Sequence, residues 1–75
     1  MYNSQDVANR IKETAYSRKI SVTQLLADCE LSKNTLSSMQ SGGFLPRLEA
    51  ICKIADRLDV SIDYLVGRTD DPVLH

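Results

Sequence analysis

Residues 21–42 read SVTQLLADCELSKNTLSSMQSG, and how this stretch is divided decides the fold. Ser21 suits a helix N-cap, and behind it Leu25, Leu26 and Cys29 recur at the spacing of one helix face. Glu30 and Leu31 interrupt that pattern. Ser32 then serves as another N-cap, opening a helix from Lys33 to about Gln40 whose narrow apolar stripe is Leu36 and Met39, three residues apart. Gly42 and Gly43 end it. The stretch therefore reads as two short helices joined by a turn of about three to four residues.

The second of these helices has an unusual polar face. Surface positions chosen for helix stability carry Glu, Lys, Arg and Ala, because Ser, Thr and Asn compete with the backbone for hydrogen bonds. Here the outward residues are Lys33, Asn34, Thr35, Ser37, Ser38 and Ser41, while Leu25, Leu26, Cys29, Leu31, Leu36 and Met39 supply the packing. These are the proportions of a helix-turn-helix, a unit that projects the polar face of its second helix into a DNA major groove. Short hydroxyl and amide side chains permit close approach to base edges and phosphates. Asn can bond adenine bidentately, a Thr methyl can touch thymine, and Lys33 can reach guanine or phosphate. On composition alone, an exposed Ser-rich helix of no special role accounts for the residues equally well.

Working outward, Val7, Ile11 and Ala15 mark a first helix, with Ser4 or Asn3 as N-cap, Asp6 favourable in the first turn, and an end near Arg18 and Lys19. After the linker Phe44-Leu45-Pro46 the chain restarts at about Arg47 or Leu48. Leu48, Ile51, Ile54, Ala55 and Leu58 follow a clear helical period. Asp59 and Val60 break it, Ser61 caps a last short helix with Ile62, Leu65 and Val66 inward, and Gly67 stops it. No alternating strand pattern or internal repeat occurs. The expectation is an all-α fold of five short helices, with a domain over residues 1–69 and a flexible tail over 70–75.

A chain of 75 residues is one domain with a small core, marginal unless self-association helps. No apolar run is long enough to cross a membrane, and the N-terminus lacks the basic start and apolar stretch of a signal peptide, so a cytoplasmic location is expected. Cys29 and Cys52 have no nearby Cys or His partner, and the sole histidine is His75. That argues against zinc and for reduced thiols in the core. Asp56, Asp59 and Asp63 read as a solvated or capping set rather than a metal cluster. Tyr2, Tyr16 and Tyr64 read as core-edge or interface residues. No Ser/His/Asp, Cys/His or paired-carboxylate arrangement supports catalysis, so neither an enzyme nor a cofactor is expected, and no small-molecule ligand is evident.

Net charge is −1, which does not favour nucleic-acid binding unless charge is segregated. Asp56, Asp59, Asp63, Asp70 and Asp71 fall in the last third, whereas Arg10, Lys12, Arg18, Lys19, Lys33 and Arg47 fall earlier. A basic face and an acidic far side are compatible with this order.

Residues 20–67 resemble the helix-turn-helix of the phage-repressor family that includes Cro and the lambdoid repressors, the XRE family. The telling parts are LSKNTLSSMQSG followed by a proline, and LEAICKIADRLDVSIDYLVGRTD, which is similar to the fourth and fifth helices of many small Gram-positive and phage-type regulators. With the first helix, the likeness covers nearly the whole chain. It implies a compact five-helix lambda-repressor-like DNA-binding domain whose third helix, residues 32–41, lies in the major groove of double-stranded DNA. Carried over by position, it implies base-facing roles for Lys33, Asn34, Thr35 and Ser38, flanking roles for Ser37 and Ser41, a place on the DNA face for the capping Ser32, and phosphate contacts from backbone amides at the start of the second helix, around Val22, Thr23 and Gln24, and in the loop Gly42 to Phe44 with Gly43 at its centre. The likeness has departures. Val22 stands where many members have Gln, Leu26 where Ala is common, and Glu30 where the turn often has Gly. An Arg–Glu pair between the first and third helices is replaced at the matching positions by Ala15 and Gln40.

The expected function is that of a sequence-specific transcriptional regulator, a repressor occupying an operator. A homodimer is expected, through Ile62, Tyr64, Leu65 and Val66, which offer more apolar groups than so short a helix buries inward. The acidic balance and the scarcity of cations on the third helix also admit a protein-interaction module of the same fold, an antitoxin-like or anti-repressor component. RTDDPVLH resembles an exit into a linker, which admits the DNA-binding end of a longer repressor.

Overall fold

Asn3 opens the first helix, α1 (Ser4–Ser17), through a side-chain oxygen that accepts from the amides of Gln5 at 2.8 Å and Asp6 at 3.2 Å. The computed structural model describes residues 3–42 and 45–68. Four more helices follow: α2 (Val22–Asp28), α3 (Thr35–Gln40), α4 (Leu48–Leu58) and α5 (Ile62–Val66). Among the described residues there is no strand, in agreement with the all-α reading. Ser21 and Ser61 cap α2 and α5 as expected, each hydroxyl accepting at 3.0 Å from the amide three residues on, Gln24 and Tyr64. Side-chain caps of this kind satisfy donors that the helix leaves open and contribute about 1 kcal/mol each.

Three helices stop without glycine, and one device ends all three. Lys19, Glu30 and Asp59 take left-handed φ values of 60°, 59° and 60°. The residue after each donates its amide five residues back: Ile20 to Ala15 at 2.9 Å, Leu31 to Leu26 at 2.8 Å, Val60 to Ala55 at 3.0 Å. This is the Schellman arrangement, which normally recruits glycine and sets an apolar residue against the helix it closes. Val60 is fully buried, and Ile20 and Leu31 pack half-buried against the core. Left-handed strain at a non-glycine costs about 1–2 kcal/mol, and burial of one aliphatic side chain contributes about 1.5–3 kcal/mol, so the apolar residue holds the turn. Gly67, at φ 90°, ends α5 in the same way, with the Arg68 amide on the Asp63 carbonyl at 2.8 Å.

α1 is the central post and touches all four other helices; α2 also packs on α4, and α4 on α5. Its stripe Val7, Ala8, Ile11 and Ala15 meets Leu25, Leu26 and Cys29 from α2 and its cap, Leu36 and Met39 from α3, and Ile51, Ile54, Ala55 and Leu58 from α4. Side-chain ties close the frame. The Arg18 guanidinium donates to the Leu58 carbonyl at 2.7 Å, placing a cation at the carboxyl end of α4, where the helix dipole favours one. Arg57 donates to Asp28 at 2.7 Å and fastens α4 to α2.

Several residues depart from their expected places. Leu48 is 69% exposed: it is the first residue of α4, and side chains lean towards a helix's N-terminus, so it overhangs the end of the core. Tyr16 is 86% exposed rather than at a core edge. Leu65, expected at a dimer surface, is fully buried and is the inward anchor of α5; Ile62, Tyr64 and Val66 pack half-buried beside it. Cys29 is buried and Cys52 half-buried, both as free thiols. Burial pushes the Cys29 thiol up, which keeps it protonated and unreactive. Tyr2, Gly43, Phe44 and the tail over 70–75 lie outside the described residues. No described helix is long and apolar enough to cross a membrane, and no group of described His, Cys, Asp and Glu residues is placed to hold a metal.

Candidate nucleic-acid interface

The approach to α3 differs from a simple N-cap. The Ser32 hydroxyl accepts from the Asn34 amide at 3.1 Å, and the Ser32 carbonyl accepts from the Thr35 amide at 3.0 Å and the Thr35 hydroxyl at 2.7 Å. Residues 32–35 thus form a closed turn, and α3 begins at Thr35 rather than at Lys33. Local side-chain bonds of this type are the means by which Ser and Thr compete with helix formation. Asn34 occupies the N-cap position with φ −91° and ψ 0°, outside the extended conformation that a capping residue usually adopts, and its side chain makes no capping bond. Its amide therefore remains available to an outside partner.

Asn34, Ser37, Ser38 and Ser41 stand at i, i+3, i+4 and i+7, one exposed stripe along α3, with exposed Lys33 just ahead. The Ser41 hydroxyl donates to the Ser38 carbonyl at 2.9 Å. The opposite side carries Thr35, Leu36 and Met39, all buried. Thr35 departs from its expected outward place: one turn before Met39, it lies on the inward face, 8% exposed, with its hydroxyl donating to the Ser32 carbonyl.

On α2, the Val22 side chain is half-buried against the core, which leaves its backbone amide as the polar group it can offer outward. Its amide and that of Thr23 precede the first helical bond, from the Leu25 amide to the Ser21 carbonyl at 2.9 Å. Thr23 is exposed. Gln24 is exposed too, but its side-chain nitrogen donates forward along the helix to the Asp28 carboxylate at 2.7 Å. Gly43 lies outside the described residues. Leu26 is buried, and Glu30 takes the left-handed turn conformation for which glycine would be the easier choice.

Sequence reasoning missed what positions α3. The Gln40 side-chain oxygen accepts from the Lys12 ammonium at 2.8 Å, and its side-chain nitrogen donates to Asn9 at 3.3 Å. The Gln40 carbonyl accepts from the Gln5 side chain at 3.1 Å. Gln5, Asn9 and Lys12 are spaced as i, i+4 and i+7 on α1, so a signal existed. A polar helix face is more simply read as solvated, and it was the partner that the sequence concealed. Ala15, at the position of the family's arginine, is fully buried.

The charges divide by partner. Lys53 lies 3.9 Å from Glu30 and 3.8 Å from Glu49, and Arg68 is 3.7 Å from Asp63. Arg57, through its hydrogen bond, and Gln24 after it hold the Asp28 carboxyl below the usual aspartate value. Arg10 stacks 4.3 Å from the Tyr64 ring centre. Lys12, by contrast, rests on the neutral amide of Gln40.

The chain is also similar in sequence to known proteins. Over 63 residues the chain is 29% identical to YobD of Bacillus subtilis (strain 168), described as an uncharacterized HTH-type transcriptional regulator, with 84% of this chain and 56% of that protein covered. The chain thus spans a little over half the length of that relative. No solved structure matches it. The family model of the Cro/C1-type HTH DNA-binding domain matches residues 10–71, which include all of α2 to α5 and the larger part of α1. With that match over most of its length, the chain belongs to the Cro/C1-type helix-turn-helix DNA-binding domains.

Proposed function

We propose that the protein is a sequence-specific transcriptional regulator that represses by occupying an operator, with α3 in the major groove. One observation carries the reading: the stripe Asn34, Ser37, Ser38 and Ser41 is exposed, short-armed and turned away from the core. Lys33 and Asn34, at the entry to α3, are the residues that reach base edges first, as recognition helices read with their N-terminal residues. Ser37, Ser38 and Ser41 follow along the groove, and the Val22 and Thr23 amides with the Thr23 hydroxyl meet the backbone. The name of the Bacillus subtilis relative supports a role in transcription. No catalysis is assigned to this protein, and a regulator of this kind works in the cytoplasm.

The reading includes a homodimer formed through the outer parts of Ile62, Tyr64 and Val66, with half-sites about one helical turn apart. Selection from randomised duplexes is the test. It is expected to enrich a palindrome with that spacing, and sedimentation is expected to find a dimer. Absence of any enriched duplex at low salt, with a stable protein complex recovered instead, would favour the protein-interaction reading that the net charge of −1 admits.

A further inference from the structure

We infer that Lys12, on α1, is a phosphate-contact residue of the DNA face, held beside the recognition helix by Gln40. The inference rests on the DNA-binding reading of α3. Gln40 follows Ser37 by three residues and so borders the exposed stripe on the side turned to α1. Its amide is engaged at both ends, the oxygen by Lys12 at 2.8 Å and the nitrogen by Asn9 at 3.3 Å. Gln40 therefore positions a charge and does not read a base. A carboxylate at 40 would cancel that charge, whereas a neutral amide orients the ammonium and leaves it whole. Lysine has three donors, and the bond to Gln40 uses one.

The location matters as much as the charge. Lys33 precedes α3, and Lys12 lies against Gln40 at the other end, about 7.5 Å along the axis from Thr35 at 1.5 Å per residue. Both are exposed. A helix in a groove about 12 Å wide has phosphates along both rims, so a cation at the flank of α3 meets the backbone while the stripe meets the bases. Lys53, Arg57 and Arg68 lie against carboxylates and are less able to serve. With a net charge of −1, each cation that keeps its full charge at the groove weighs heavily in affinity.

The test is the salt dependence of binding by the full chain to a duplex enriched by randomised selection. Lys12→Gln is expected to lower the slope of log affinity against log salt by about 0.9, with roughly eightfold weaker binding at about 0.1 M salt and unchanged base preference. Lys12→Arg is expected to retain the parent slope. Lys12 is exposed, and an unchanged melting temperature in Lys12→Gln checks the fold. A parent-like slope and affinity in Lys12→Gln, while Asn34→Ala binds more weakly, overturns the role of Lys12 and leaves the reading of α3 standing. A parent chain that binds no duplex overturns both.

Discussion

Asn34 and Ser38 stand one turn apart on the exposed side of α3, joined by the first hydrogen bond of that helix, from the Ser38 amide to the Asn34 carbonyl at 2.9 Å. Asn34 makes no capping bond, so its removal leaves α3 with the interactions it already has. Asn34→Ala is expected to weaken operator binding by about 1–3 kcal/mol, with little change in thermal stability. Titration of a fluorescent duplex beside a melting curve checks both. Lost stability with parent-like affinity would make Asn34 a structural residue.

Thr35 is expected to behave in the opposite way. Its hydroxyl closes the turn on the Ser32 carbonyl at 2.7 Å, and the residue is buried one turn before Met39. Thr35→Ala should lower the unfolding free energy by about 1 kcal/mol in urea denaturation, while base preference stays that of the parent. A shifted preference without loss of stability would restore Thr35 to the reading face.

The contrast between these neighbours shows what the sequence discloses and what it conceals. Asn3, Ser21, Ser61 and Gly67 sit at helix boundaries where their chemistry announces them, and Ile51, Ile54, Ala55 and Leu58 declare α4 by period alone. Ser32 carries the same chemical signal as Ser21, yet it closes a turn ahead of α3, because the Thr35 hydroxyl competes for its carbonyl. Val60 reads as a helix breaker and is a core residue, since the left-handed Asp59 turns it inward. The clasp of Gln40 by Gln5, Asn9 and Lys12 spans about thirty residues of sequence and follows from the packing of α1 on α3. No local pattern encodes such a contact.

Lys19→Gly is expected to stabilise the domain. The residue is exposed with φ 60°, and it joins Tyr16 to Ile20 in the turn that ends α1. Glycine removes the Cβ clash, at some loss from its freer unfolded chain, for a net gain of about 0.5–1 kcal/mol. Glu30→Gly should gain less, because it also removes the contact with Lys53 at 3.9 Å. Chemical denaturation of the two variants checks the order. Destabilisation by Lys19→Gly would mean that the lysine side chain itself supports the turn.

Asp28 sets an acid limb. Arg57 and Gln24 hold its folded pKa below the ordinary 3.8, so the unfolded chain binds the proton more readily. The contribution of Asp28 is complete above the unfolded value and disappears as pH falls from there through the folded one. Asp28→Asn should therefore lower stability at neutral pH and flatten its decline below about pH 4. Melting temperatures between neutral pH and about pH 2 test this, and an acid limb as steep as the parent's would remove Asp28 from that role.

The central claim is that the stripe on α3 reads bases, and parallel selections from one randomised duplex library test it most directly, with the parent chain and with Asn34→Ala and Ser38→Ala. The account predicts a defined motif for the parent and a relaxed or changed preference at one or two positions of each half-site for the variants, with the remaining positions and the spacing preserved. Identical motifs from all three proteins would contradict it.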